Sequence, residues 1–264
     1  MKIVGVILFL GVSTFALADT AAGLKALENH DYATAVREFK AGVDRGEADA
    51  QFNLGIMYAR GLGVEKDIAE AWQLFQLAAA QGNAQAQFRL GVRSEKGWGV
   101  QQDFLAASQW YQRAADQGDT FAESNIAALY EDGFGVQQDY KTAVHYYRLA
   151  AENGFAPAQF NLGQLIEKGK GTKRDDTEAF QWYKKAADKG FAPAQEKVSE
   201  MYARGQGINA DPEKAYFWST LAAKQNEKNA ERRRAALEAK LSSEAVARTQ
   251  KSVGEWKPVL ATTR

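Results

Sequence analysis

Pairs of glycines separated by one residue recur at a fixed interval along this chain: Gly61/Gly63, Gly97/Gly99, Gly133/Gly135, Gly169/Gly171 and Gly205/Gly207, each 36 residues after the last. A strict period of this length confines the chain to architectures built by stacking one small supersecondary unit. Five copies follow without an insertion: Glu47 to Gly82, Asn83 to Gly118, Asp119 to Gly154, Phe155 to Gly190 and Phe191 to Asn226. A unit this short cannot bury a core alone, so each copy must share one with its neighbours.

Each copy predicts two helices. In the first, helix A, Ala50, Leu54 and Tyr58 stand four apart with no β-branched run, the spacing of one helical face. Four residues after the glycine pair comes an Asp (Asp67, Asp103, Asp139, Asp175, Asp211), a favoured N-cap, and Pro212 follows Asp211 where a first-turn proline is harmless. A second helix, helix B, starts there; Ala71, Leu74, Phe75, Ala78 and Ala79 give it an apolar stripe. Gly82, Gly118, Gly154 and Gly190 close four copies as C′ residues, and Asn226 closes the fifth. Small residues at one helix A position (Gly55, Gly91, Ala127, Gly163, Ser199) and one helix B position (Ala71, Ala107, Ala143, Ala179, Ala215) let the two backbones approach closely.

The pattern A-x-x-x-L-G-x-x-Y-x-x-G-x-G-V, then D-x-x-x-A-x-x-W/F-Y-x-x-A-A-x-x-G, resembles the Sel-1-like repeat (SLR), a relative of the tetratricopeptide repeat. Ser94 and Ile166 depart from the helix A tyrosine, and Val198-Ser199 from Leu-Gly. The resemblance implies an all-α, right-handed superhelical solenoid with helix A of every copy on the concave side. Upstream, residues 19–46 hold Asp31, Tyr32, Ala35 and Phe39 in helix B register and look like a shortened repeat without the glycine loop. Downstream, residues 227–264 read as two polar capping helices, with Ser242 as an N-cap. By resemblance, the partner-contacting positions are Phe52, Asn53, Ile56 and Arg60; Phe88, Val92 and Lys96; Ser124, Asn125 and Asp132; Phe160, Asn161, Gln164 and Lys168; Glu196, Glu200 and Arg204. Phe52, Phe88 and Phe160 lie off the Ala50-Leu54-Tyr58 stripe, so they form either an exposed recognition ladder or packing against the next repeat.

The N-terminus carries Lys2, an uncharged apolar run from Ile3 to Leu17 and Ala16-Leu17-Ala18 before Asp19, the features of a cleavable signal over residues 1–18. The run falls short of the roughly 20 residues that span a bilayer, so the mature chain is expected to be periplasmic or secreted with no stable membrane anchor. Charge is balanced at 33 basic and 33 acidic residues, which gives no global field for nucleic acid, although the tail from Lys224 is basic. Zero cysteines removes thiol chemistry, and two histidines, His30 and His145, leave little for a metal or general base. Lys168-Gly169-Lys170-Gly171-Thr172 lacks phosphate-loop spacing, Glu131-Asp132 and Asp175-Asp176 fall at turn and cap positions, and Arg232 to Arg234 sits among acids. The leading expectation is therefore a non-enzymatic, cofactor-free and metal-free scaffold that binds a protein or extended peptide. The alternative is a cell-wall-directed enzyme or glycan-binding protein.

Overall fold

The computed structural model describes residues 13–259, with side chains from residue 20 onward. The signal segment therefore lies largely outside the described residues. Among the described residues the chain forms fourteen helices and no strand. Before the copies stand α1 (Ser13–Glu28) and α2 (Tyr32–Asp44). The copies supply α3 (Ala48–Arg60) and α4 (Ile68–Ala80), α5 (Ala84–Lys96) and α6 (Phe104–Ala115), α7 (Thr120–Asp132) and α8 (Tyr140–Glu152), α9 (Ala156–Lys168) and α10 (Asp176–Asp188), and α11 (Ala192–Arg204) and α12 (Pro212–Lys224). After them come α13 (Ala230–Glu238) and α14 (Ser243–Glu255). The helices form two compact units, one ending at Asp119 and one beginning at Thr120, so the division falls between the second and third copies.

Local chemistry sets the helix ends where the sequence places them. All five aspartates are N-caps, each accepting from backbone N–H groups of the first turn, as Asp67 does from Glu70 at 3.0 Å. The last residue of helix A is followed by a glycine in the left-handed region, for example Gly169 at φ 66°, which ends the helix without a Cβ penalty. The second loop glycine has an additional reason to be glycine. A Cβ on Gly171 or Gly207 would run into the backbone carbonyl of Tyr140 or Asp176, so the loop lies directly on the start of the preceding helix B.

Within each unit, helix A packs against its own helix B and against helix B of the copy before. The small helix A residue supports this closeness. A Cβ on Gly55 would stand 2.7 Å from the Phe75 ring, on Gly91 2.5 Å from Tyr111, and on Gly163 2.8 Å from Tyr183. In the last copy Ser199 takes that place and donates to the Ala215 carbonyl at 2.7 Å. The same contact occurs ahead of the copies: a Cβ on Gly23 of α1 would meet Phe39 of α2 at 2.5 Å. The segment before Glu47 thus has both helices of a pair, joined by a short turn with His30 at φ 58° in place of the glycine loop.

Buried glutamines bind copy to copy. Gln87, Gln159 and Gln195 on helix A donate Nε2 to the carbonyls of Ala79, Ala151 and Ala187 at 3.2, 3.0 and 3.3 Å, a second bond to carbonyls at the C-terminus of the preceding helix B that already accept from the Gly82, Gly154 and Gly190 N–H groups. Gln81, Gln117 and Gln225 donate in turn to Oε1 of Gln51, Gln87 and Gln195. Lys189 replaces the donor in the fourth copy, and Gln159 Oε1 is left buried without a partner. At the C-terminal end α12 packs against α13 and α14, Trp256 meets Trp218 edge-on at 6.3 Å, and the Val259 N–H donates to the Asp188 carbonyl at 2.8 Å.

Candidate functional site

Helix A is more deeply enclosed than a single apolar stripe suggests. In α3 alone Ala50, Gln51, Phe52, Leu54, Gly55 and Met57 are all buried, because two helices B flank it. Of the two alternatives for the phenylalanines, Phe52 takes the packed one. Phe52 is 7% exposed and packs against Phe75 with ring centroids 5.7 Å apart. Phe88 is half-buried against Tyr111 at 5.9 Å, and Phe160 is half-buried against Tyr183 at 5.4 Å and Phe191 at 5.5 Å. Most of the partner is the copy's own helix B, and Phe191 belongs to the next copy.

The polar positions divide differently. Asn53, Asn125, Asn161 and Gln164 are half-buried, and Asn53 Nδ2 donates to the Asp49 carbonyl at 2.8 Å. Arg60, Lys96, Asp132, Lys168 and Arg204 are exposed at the end of helix A. Four of these five are cations, which a helix C-terminus stabilises through its partial negative charge. Lys96 pairs with Glu95, and Arg204 pairs with Glu200 at 2.7 Å.

A set of residues that sequence reasoning passed over lies just beneath this face. The helix B tyrosine hydroxyl donates to a helix A carboxylate in three copies: Tyr111 to Glu95 at 2.6 Å, Tyr147 to Glu131 at 3.1 Å and Tyr183 to Glu167 at 2.8 Å. The first copy has Phe75 and Ala59 at these two positions, and the fifth has Ser219 and Ala203. Hydroxyl-bearing ring and carboxylate thus occur together or not at all within this one chain. Burial pushes the Tyr147 and Tyr183 hydroxyls far above the usual range, and the facing carboxylates add to the shift. The tyrosines are neutral donors.

In the second unit Lys197, Arg204 and Arg233 are paired with carboxylates of the same unit, although Glu196 Oε2 is buried without a partner. Lys197 Nζ bonds Glu167 at 2.8 Å and Glu200 at 3.4 Å, Gln206 donates to Glu167 at 3.0 Å, and Arg233 of α13 pairs with Glu196 at 2.8 Å. Burial works to raise the Glu167 carboxyl, but hydrogen bonds from Lys197 and Tyr183 outweigh it and hold the carboxyl below its usual range. Glu196 is raised by burial, which the Arg233 bond only partly offsets. In the first unit the corresponding face is basic and open. The Arg89 guanidinium lies 5.7 Å from both the Phe52 and Phe75 ring centroids, and Arg93 lies 4.7 Å above Trp72 while donating to the Trp98 carbonyl. Among the described residues no carboxylate pairs with Arg89 or Arg60, and burial together with the Arg60 charge lowers the Arg89 pKa.

These observations define an all-α tandem-repeat scaffold. The Sel1 repeat family model matches residues 48–83, 84–119, 120–155, 156–191 and 192–227, and the chain belongs to that family. A Sel1 repeat protein from Oxalobacter formigenes is 36% identical with a TM-score of 0.72, over 78% of this chain and 84% of that one. A protective antigen present in uropathogenic Escherichia coli strains, displaying an SLR fold, is 27% identical with a TM-score of 0.63, over 91% of this chain and 60% of that one. No curated protein sequence matches the chain. Sel1 repeats generally serve protein–protein interaction. No group of three or more His, Cys, Asp or Glu able to hold a metal ion occurs among the described residues, and no described helix is long and apolar enough to cross a membrane.

Proposed function

We propose that this chain works outside the cytoplasm as a scaffold that holds a protein or extended peptide against its helix A face. The observation that carries the reading is the half-buried amides Asn53, Asn125 and Asn161, which share one repeat position, with Gln164 one turn further along α9; they offer both donors and acceptors to a peptide backbone. Export rests on Lys2, the apolar run and Ala16-Leu17-Ala18.

Affinity capture from an envelope fraction tests binding, with Asn125→Arg/Asn161→Arg/Gln164→Arg as the blocked face and Lys141→Glu/His145→Glu on exposed helix B as the control. The reading expects captured protein to be lost with the first variant and kept with the second; the reverse would move binding to helix B. The N-terminal residue of the purified native protein tests export: Asp19 is expected, and an intact Met1 contradicts it.

A further inference from the structure

The junction between the first two copies is built like the junction between the last two, with one group missing. Arg89 and Lys197 occupy the same repeat position, as do the rings Phe75 and Tyr183 and the helix A residues Ala59 and Glu167. Both cations sit near the preceding copy's helix B ring, Arg89 5.7 Å from Phe75 and Lys197 5.9 Å from Tyr183. At the later junction Glu167 receives the tyrosine hydroxyl and the Lys197 ammonium together. At the earlier junction the ring has no hydroxyl, the acid is an alanine, and the half-buried guanidinium has no carboxylate among the described residues. The Arg60 charge acts against it. A planar guanidinium held over two rings keeps its fork of donors fixed, an arrangement suited to a carboxylate. Ile56 lies one turn before Arg60 on the same helix and packs into the cluster of Phe52 and Phe75, so the surroundings of Arg89 are apolar.

We infer that the first unit binds an acidic, partly apolar peptide segment of a partner protein, whose carboxylate takes at Arg89 the place that Glu167 fills at Lys197. The inference rests on the scaffold reading and adds to it an acid-selective contact on the first unit, separate from the amides Asn125, Asn161 and Gln164 that the capture variant blocks. Charge complementarity supports it: on the same face of the second unit Lys197, Arg204 and Arg233 are already matched with Glu167, Glu200 and Glu196.

The test uses the full mature chain and a labelled hexapeptide of alternating glutamate and leucine, with the glutamine–leucine peptide as comparison. Arg89→Gln removes the receiving group, and Ala59→Glu supplies the missing carboxylate from within. Each is expected to weaken acidic-peptide binding by roughly tenfold or more, the loss of one charge-assisted pair, with circular dichroism and melting unchanged. Lys197→Gln is expected to leave binding within about twofold, since its partners are internal. Ala59→Glu/Phe75→Tyr guards against misfolding, because it reproduces the Tyr183–Glu167 pair that the chain already holds, and it is expected to weaken binding as much as Ala59→Glu alone. Equal affinity of parent and Ala59→Glu, equal affinity for the glutamine peptide, or no binding of the acidic peptide overturns the inference. If envelope capture is still lost with the Asn125→Arg/Asn161→Arg/Gln164→Arg variant, the scaffold reading survives that failure; if capture is unaffected by it, the scaffold reading itself has failed.

Discussion

The junction between the first two copies and the junction between the last two place a cation at the same repeat position and differ in the groups beneath it. Where Phe75 and Ala59 stand, a cation is left over two aromatic rings; where Tyr183 and Glu167 stand, the cation is bonded and the site is closed. Repeat position alone therefore does not decide what a helix A face can recognise. The residues one layer below it do, by supplying or withholding an internal counter-charge.

The largest effect that sharpens this comparison comes from the rings. Tyr183→Ala and Phe75→Ala should each cost roughly 3 to 5 kcal/mol in urea denaturation, because both rings fill the space over a glycine. Similar losses would show that the two junctions share one packing scheme; a large loss at only one would break the parallel. Next come exchanges of the hydroxyl. Phe75→Tyr places a buried hydroxyl beside Ala59, which cannot accept, and should cost about 1 to 3 kcal/mol; adding Ala59→Glu should recover much of that. Non-additivity in this double-mutant cycle is the measured quantity, and strict additivity would contradict the pairing.

Much of this fold is legible in the sequence because its determinants are local. Asp67, Asp175 and their equivalents cap because a carboxylate three residues before an open N–H has one good use, and Gly61 and Gly169 take left-handed φ because few other residues do so cheaply. The burial of Phe52 is not legible in one stripe for a non-local reason: a single stripe implies one buried side, whereas helix A in a stack has two. The glutamine chain was missed since Gln51, Gln87 and Gln195 look like surface residues until a partner 30 residues away is brought beside them. The Tyr183–Glu167 pair had a readable signal, because alanine replaces the acid wherever the tyrosine is lost within the chain.

Smaller effects test the electrostatic side. Lys189→Gln would give Gln159 Oε1 the donor that three other copies possess, and should raise stability by about 0.5 to 1.5 kcal/mol. No gain would mean that the fourth copy's orphan acceptor is already satisfied in solution. The depressed Glu167 carboxyl contributes stability that is complete above the ordinary glutamate pKa of about 4.3 and is lost as pH falls through its lower folded value. Glu167→Gln should therefore flatten the acid limb of the stability curve below about pH 4.3.

The central claim is that the earlier junction is open to an outside carboxylate and the later one is not. Side-chain nuclear magnetic resonance reads this directly through the Arg89 Nε–H and the Lys197 ammonium while the glutamate–leucine peptide is added. The Arg89 signal is expected to shift with saturation and the Lys197 signal to stay in place. A titrating Lys197 beside a stationary Arg89 would contradict it.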